Sequence, residues 1–114
     1  MIDALDQQRS ICAKYNSEFV MALPGSKTGL AMETLHLSPI YGVREHPNEI
    51  VSGWFIWAGP YSKDPDFYQP CHTIHLQELL PIVIPYLGLA PGYKFIIDTA
   101  GYEDVWFETL KQSP

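Results

Sequence analysis

The spacing of apolar positions changes along this chain, and each change marks an element. Residues 3–16 carry Leu5, Ile11, Cys12 and Tyr15 at roughly helical spacing among good or neutral helix formers. That pattern predicts a helix, with Asp3 at its N-cap and Asp6 placed favourably near the positive end of its dipole. Residues 19–23, Phe-Val-Met-Ala-Leu, form an apolar run stopped by Pro24-Gly25 and are predicted as a buried strand. Residues 30–37 fit either state and end at Pro39. Ile40-Tyr41-Gly42-Val43-Arg44 predicts a strand before a turn at His46-Pro47-Asn48. Residues 52–58 combine aromatic and β-branched side chains between two glycines, so they are predicted as the strand at the centre of the sheet. Because side chains alternate across a strand, one of Trp54 and Trp57 should face the core and the other stay partly exposed.

From 60 to 70 the chain reads as loop, rich in Pro, Asp, Ser and Tyr. Residues 72–86 have helical apolar spacing, but Pro81 and Pro85 cannot both lie inside one helix. Two short helical pieces are expected, with Pro81 in the first turn of the second and Gly88 as the stop. Tyr93 to Ile97 and Val105 to Phe107 predict two closing strands joined at Thr99-Ala100-Gly101. The class is therefore α+β, a mostly antiparallel sheet with an N-terminal helix and a broken helical segment before the C-terminal strands. With 114 residues and no repeat or linker, residues 1–114 are expected to form a single domain.

Charge narrows the partners. Thirteen acidic against seven basic residues give a net charge of −6 with no Lys/Arg cluster, which argues against nucleic acid and against an anionic membrane. An acidic protein is suited to meet a basic one, although moderate negative charge also serves solubility. The start Met1-Ile2-Asp3-Ala4-Leu5-Asp6 has no basic and apolar leader regions and no run of about 18 apolar residues occurs, so a cytoplasmic location is expected. Cys12 and Cys71 make no disulfide framework and are read as small buried thiols.

Four constellations offer chemistry, each with a plainer reading. Cys71-His72-Thr73-Ile74-His75 places a thiol and two imidazoles close together, but a tetrahedral metal site needs a fourth ligand and His36 and His46 stand alone, so no metal is expected. Asp64 and Asp66 with Glu103 and Asp104 would suit a glycosidase-like acid/base pair only if the fold joined them; solvated turn carboxylates are the plainer reading. A Cys/His nucleophilic pair has no local signature here. The Trp and Tyr content would serve a sugar or peptide platform, or simply the core. Gly25-Ser26-Lys27-Thr28-Gly29 lacks the first glycine of a phosphate loop, so nucleotide binding is rejected.

The stretch Ile40-Tyr41-Gly42-Val43-Arg44-Glu45, a polar turn, Ser52-Gly53-Trp54 and Gly59 resembles the bacterial immunity-protein-thirty-three-like family, formerly a domain of unknown function. The later Asp66-Phe67, His75-Leu76, Leu87-Gly88-Leu89, Pro91-Gly92, Phe95 and Tyr102-Glu103-Asp104-Val105-Trp106 extend the likeness over about residues 30–107. It departs at Val51, where members often have an acid, and at Tyr93, where several have Trp. The resemblance implies a cytoplasmic protein of polymorphic toxin systems that neutralises a cognate toxin by stoichiometric occlusion, without cofactor or turnover. Loops concentrate binding residues, so the expected partner face is drawn from Glu45, Glu49, Tyr61, Asp64, Asp66, Tyr68, Glu103 and Asp104, directed at a basic surface. The alternative is a small stand-alone enzyme or small-ligand binder that uses the Trp-rich sheet and the Cys71, His72 and His75 cluster. The oligomeric state is not legible.

Overall fold

Strand alternation in the middle of the chain organises everything else. The computed structural model describes residues 3–110; Met1 and Ile2, part of the leader argument above, lie outside them, as do 111–114. Helix α1 (Ala4–Lys14) precedes strands β1 (Lys27–Leu30), β2 (Ile40–Arg44), β3 (Val51–Ala58) and β4 (Gln69–His72). A broken helical segment follows, made of a 3-10 turn (Thr73–His75), the short α2 (Leu76–Leu79) and a 3-10 stretch (Pro81–Tyr86), before β5 (Tyr93–Ile97) and β6 (Glu103–Phe107). The strands form one six-stranded sheet in the order β4-β1-β3-β2-β5-β6. Neighbours β1 and β3 run parallel and the other pairs antiparallel. The fold is α+β, with β3 and β2 at the centre of the sheet.

Pro81 opens the second helical piece, as the sequence predicts, and that piece, with Pro85 inside it, is a 3-10 stretch. Asp3 occupies the N-cap of α1, but its side chain makes no capping hydrogen bond. Two expectations fail. Residues 19–23 are not a strand: only Phe19 forms a bridge, to Leu89, and the Val20 amide donates to the Gly88 carbonyl. The loop and helix expected around residues 69–72 instead contain β4, which is paired to β1, a strand not foreseen either. Neither strand has a strong propensity of its own, so the pairing supplies it.

The helices cover one face of the sheet. Trp54, Ile56, Ile40, Phe95, Ile97 and Val105 from the strands pack there against Cys12, Leu76, Leu80, Val83, Tyr86, Leu87 and Leu89. Gly42 is required at this face, because a Cβ would meet the Phe95 ring at 2.2 Å. Four buried hydroxyls fasten β1 and the turn after β4 to β3. Thr28 Oγ1 lies 2.7 Å from Ser52 Oγ and 3.0 Å from Thr73 Oγ1, and Thr73 donates to the Ser26 carbonyl at 3.0 Å. Each buried polar atom in that chain has a partner, which is the condition for a buried polar network to stabilise. Gly88 lies two residues past Tyr86, the last residue of the 3-10 stretch, and has no left-handed backbone; it is small because the Phe19 ring lies within 2.7 Å of where a Cβ would stand.

Candidate functional site

The opposite sheet face is not covered by α1 or by the broken helical segment, and it is aromatic. Paired residues share a face, so the register writes two rows across it. One row runs Gly29, Phe55, Val43, Lys94, Trp106; the other runs Trp57, Tyr41, Ile96, Asp104. Phe55 lies over Gly29, where a Cβ would stand 2.7 Å from its ring. Tyr41 and Trp57 stack with centroids 5.0 Å apart and planes 11° from parallel.

Residues 59–68 fold back over the β3 end of this face. The Asp64 amide donates to Ser62 Oγ at 3.1 Å, and Asp64 Oδ1 accepts the Asp66 amide at 2.9 Å, so the tip of the loop is held by its own side chains. Gly59, with φ +69°, gives the turn out of β3 its left-handed backbone. Tyr61, Phe67 and Tyr68 then meet the strand rings edge to face: Tyr61 on Trp57 at 5.5 Å, Tyr68 on Phe55 at 5.1 Å, and Phe67 on both Tyr61 and Tyr68. Burial first, and then the nearby Tyr61, push the Tyr68 hydroxyl up to about 12, so it stays a neutral donor at physiological pH. On one side of the loop is an open, mostly apolar cavity of about 580 Å³ between Lys27, Gly29, Glu45, Phe55, Tyr68 and Pro70. On the other is a groove of similar size, about 580 Å³, walled by Tyr61, Phe67, Glu33, Asp64 and Asp66.

The eight residues expected at a partner face fall into four places. Tyr61, Asp64, Asp66 and Tyr68 lie together in this loop, and Glu45 and Glu49 lie exposed between β2 and β3, with Glu45 on the rim of the apolar cavity. Asp104 is exposed at the far end of the Trp57 row, three strands away, or about 14 Å at ordinary strand spacing. Its neighbour Glu103 points to the helix side, as alternation demands. There Lys14 Nζ donates to Glu103 Oε2 at 2.6 Å, Tyr86 donates to Oε1 at 2.5 Å, and Tyr15 donates to Oε2.

That arrangement makes Glu103 an acid-sensitive clamp of α1 on β6. Burial alone would raise its carboxyl; donation from Lys14, Tyr15 and Tyr86 outweighs this and takes it from 4.5 to about 2. A carboxylate depressed in the folded state contributes stability above its unfolded value and loses it as pH falls toward the folded one. Between pH 5 and 2.5 the wild type is therefore expected to lose more stability than Glu103→Gln. At pH 7 the variant should already be weaker by about 1–3 kcal/mol. Urea melts of both proteins across this range check it, and parallel pH curves would count against the clamp.

The Cys71, His72 and His75 group does not converge. Cys71 pairs with Thr28 and shares its inward face, whereas His72 and His75 are exposed with ring centroids 5.8 Å apart. Burial pushes the Cys71 thiol up, opposite to what an activated nucleophile needs. Cys12 is buried and donates to the Gly88 carbonyl at 3.3 Å. Among the described residues no group of at least 3 His, Cys, Asp or Glu side chains is placed to hold a metal ion, and no helix is long and apolar enough to cross a membrane.

The family model of the Imm33-like domain matches residues 7–108. The chain belongs to that family. The match takes in most of α1 and β1 as well, beyond the residues that carried the resemblance. No curated protein and no solved structure matches the chain. Within this Imm33-like domain, sequence reasoning named the loop tyrosines and acids but passed over Tyr41, Phe55, Phe67 and Glu33, which build the same face. For Tyr41, Phe55 and Trp57 the signal was present in the strand alternation; Glu33 and Phe67 reach the face only through the tertiary fold.

Proposed function

We propose that this Imm33-like protein is an immunity protein of a bacterial toxin system, which binds its cognate toxin one to one in the cytoplasm and occludes it without cofactor or turnover. Family membership over residues 7–108 is the observation that carries this reading. The binding face we assign is the aromatic sheet face with its loop: Tyr61, Asp64, Asp66 and Tyr68 at the centre, Glu45 and Glu49 at one end, and Asp104 at the other. Glu103 supports that face from beneath by holding β6 to α1. Rings backed by strands present large contact area at little cost in lost freedom, and acids around them steer a basic partner in. A net charge of −6 suits such a partner.

The test is a complex with the toxin encoded beside this chain. Asp64→Lys/Asp66→Lys should slow association by about tenfold or more and leave dissociation less affected, and added salt should slow the wild type in the same direction. The melting temperature should barely move, because both side chains are exposed and, among the described residues, the hydrogen bond they make is the one from the Asp66 amide to Asp64 within the loop. Stopped-flow association and calorimetric stoichiometry measure both effects. Protection of cells with no detectable complex would end the binding reading.

A further inference from the structure

Arg44 has one donor group that the fold leaves unused. Its Nε and Nη1 bond to four backbone carbonyls, those of Ser52, Val20, Leu87 and Leu89. Nη2 is buried as well and has no hydrogen-bond partner among the described residues. Buried polar groups are nearly always partnered, and an orphaned donor on a cation costs more than a neutral one. The planar fork sets one Nη2–H beside Nε–H, so this free edge points the way Nε does, toward Ser52. At Ser52 lies a cavity of about 220 Å³, walled by Arg44 and Ser52 together with Met21, Leu23, Val51 and Asn48. Its wall has no Asp, Glu, Lys or second Arg. Asn48 is exposed, and its Oδ1 accepts the Ile50 and Val51 amides, which leaves its Nδ2 to donate.

We propose that this cavity is a subsite for one aliphatic carboxylate, which accepts from the free Arg44 Nη2 and from Asn48 Nδ2 while its methylenes lie against Met21, Leu23 and Val51. The subsite stands independently of the immunity reading, because it rests on the guanidinium and the cavity alone. Charge selects the ligand class. A single buried cation balances a monoanion, whereas a phosphate dianion would bring an excess charge against a mostly apolar wall with no second Lys or Arg to meet it. The apolar side chains on that wall favour an acid with a short acyl chain over an inorganic ion. Nη2 is sealed from solvent, so the acid enters as the unbranched Met21 side chain, 42% exposed, swings aside. An acidic side chain of a protein and a free short-chain acid share this chemistry.

The folded protein is titrated with sodium butyrate and, separately, with acetyl-Gly-Glu-Gly-amide, at ionic strength matched by sodium chloride. Butyramide, which keeps the shape and loses the charge, is the control. Expected are saturable NMR shifts of the Met21 methyl and the Arg44 Nε–H, with butyramide weaker than butyrate by about tenfold or more. Tighter binding of the peptide assigns the subsite to an acidic side chain of a protein, and tighter binding of butyrate assigns it to a free acid. Asn48→Asp keeps the acceptor for the Ile50 and Val51 amides and adds a negative charge to the wall. It should weaken butyrate by about tenfold at an unchanged melting temperature. This variant leaves Arg44 in place, and should it disturb the turn, the comparison of butyrate with butyramide on the wild type decides. Equal shifts with butyramide, shifts centred on Lys27 and His46, butyrate binding untouched by a folded Asn48→Asp protein, or no saturable shift with either acid overturns the subsite.

Discussion

Arg44→Met is expected to lower stability by about 3–5 kcal/mol, enough to leave a marginal domain largely unfolded at 37 °C. Arg44 is 1% exposed at the end of β2, and among the described residues no carboxylate pairs with it. It is held by carbonyls. Nε donates to Ser52 at 3.0 Å, and Nη1 donates to Val20 at 2.6 Å, Leu89 at 2.7 Å and Leu87 at 3.1 Å. Burial takes the guanidinium down to about 10, still well above neutral pH, so the buried group carries its charge. A buried ion replaced by an apolar group is often harmless when its partner goes too. Here the partners are backbone and stay. Leu89 and Ser52 would each keep a buried acceptor with a lost donor, at about 1–3 kcal/mol apiece before relaxation, and Val20 a part-buried one. Arg44→Lys should recover only part of the loss, because one ammonium cannot face Ser52 on one edge and the 87–89 carbonyls on the other. Urea unfolding of both variants measures this. A methionine variant within about 1 kcal/mol of wild type would show that the carbonyls find other donors, and that Arg44 does not hold residue 20 and residues 87–89 together.

The second large effect separates the two tryptophans of β3. Trp54→Ala is expected to cost about 3–5 kcal/mol, whereas Trp57→Ala should cost about 1 kcal/mol. Trp54 is 1% exposed, packs on Phe95 with centroids 5.4 Å apart, and donates from Nε1 to the Leu87 carbonyl at 3.0 Å. Removing it opens a cavity beneath the helical layer and leaves Leu87 dependent on Arg44 alone. Trp54→Phe keeps most of the volume and isolates the lost indole bond, for which about 1–2 kcal/mol is expected. Trp57 stands half-buried on the open face, where Tyr41, Tyr61 and Tyr68 touch it and can close over the gap. Its loss should instead weaken partner binding under the proposed function. Thermal melts of the three variants decide the matter, and a Trp57→Ala loss as large as that of Trp54→Ala would mean that the aromatic face is core.

Arg44 and Trp54 also mark the limit of what sequence reasoning saw. Trp54 was legible: alternation with Trp57, between flanking glycines, requires that one of the two point inward. Arg44 was read only as the last residue of a strand. Its role depends on carbonyls 24, 43 and 45 positions away along the chain, and nothing local announces that they converge. The same holds for Glu103, which sequence reasoning grouped with Asp104 as a surface acid. Its partners Lys14 and Tyr15 lie 89 and 88 residues earlier.

By itself the sequence determined the elements whose signals are local. These are α1 from its apolar spacing, β2, β3, β5 and residues 105–107 of β6 from aromatic and β-branched alternation, the break at Pro81, and the loop that begins at Pro60. Each follows from steric preference or side-chain period within a few residues. Only the tertiary structure decided that Lys27–Leu30 and Gln69–His72 are strands and that residues 19–23 are not. Short segments of mixed propensity adopt the state that satisfies their backbone groups, and those partners lie on distant parts of the chain. The tertiary structure likewise placed α1 and the broken helical segment on one face of the sheet, which left the other face, with its rings and its acidic loop, open to solvent.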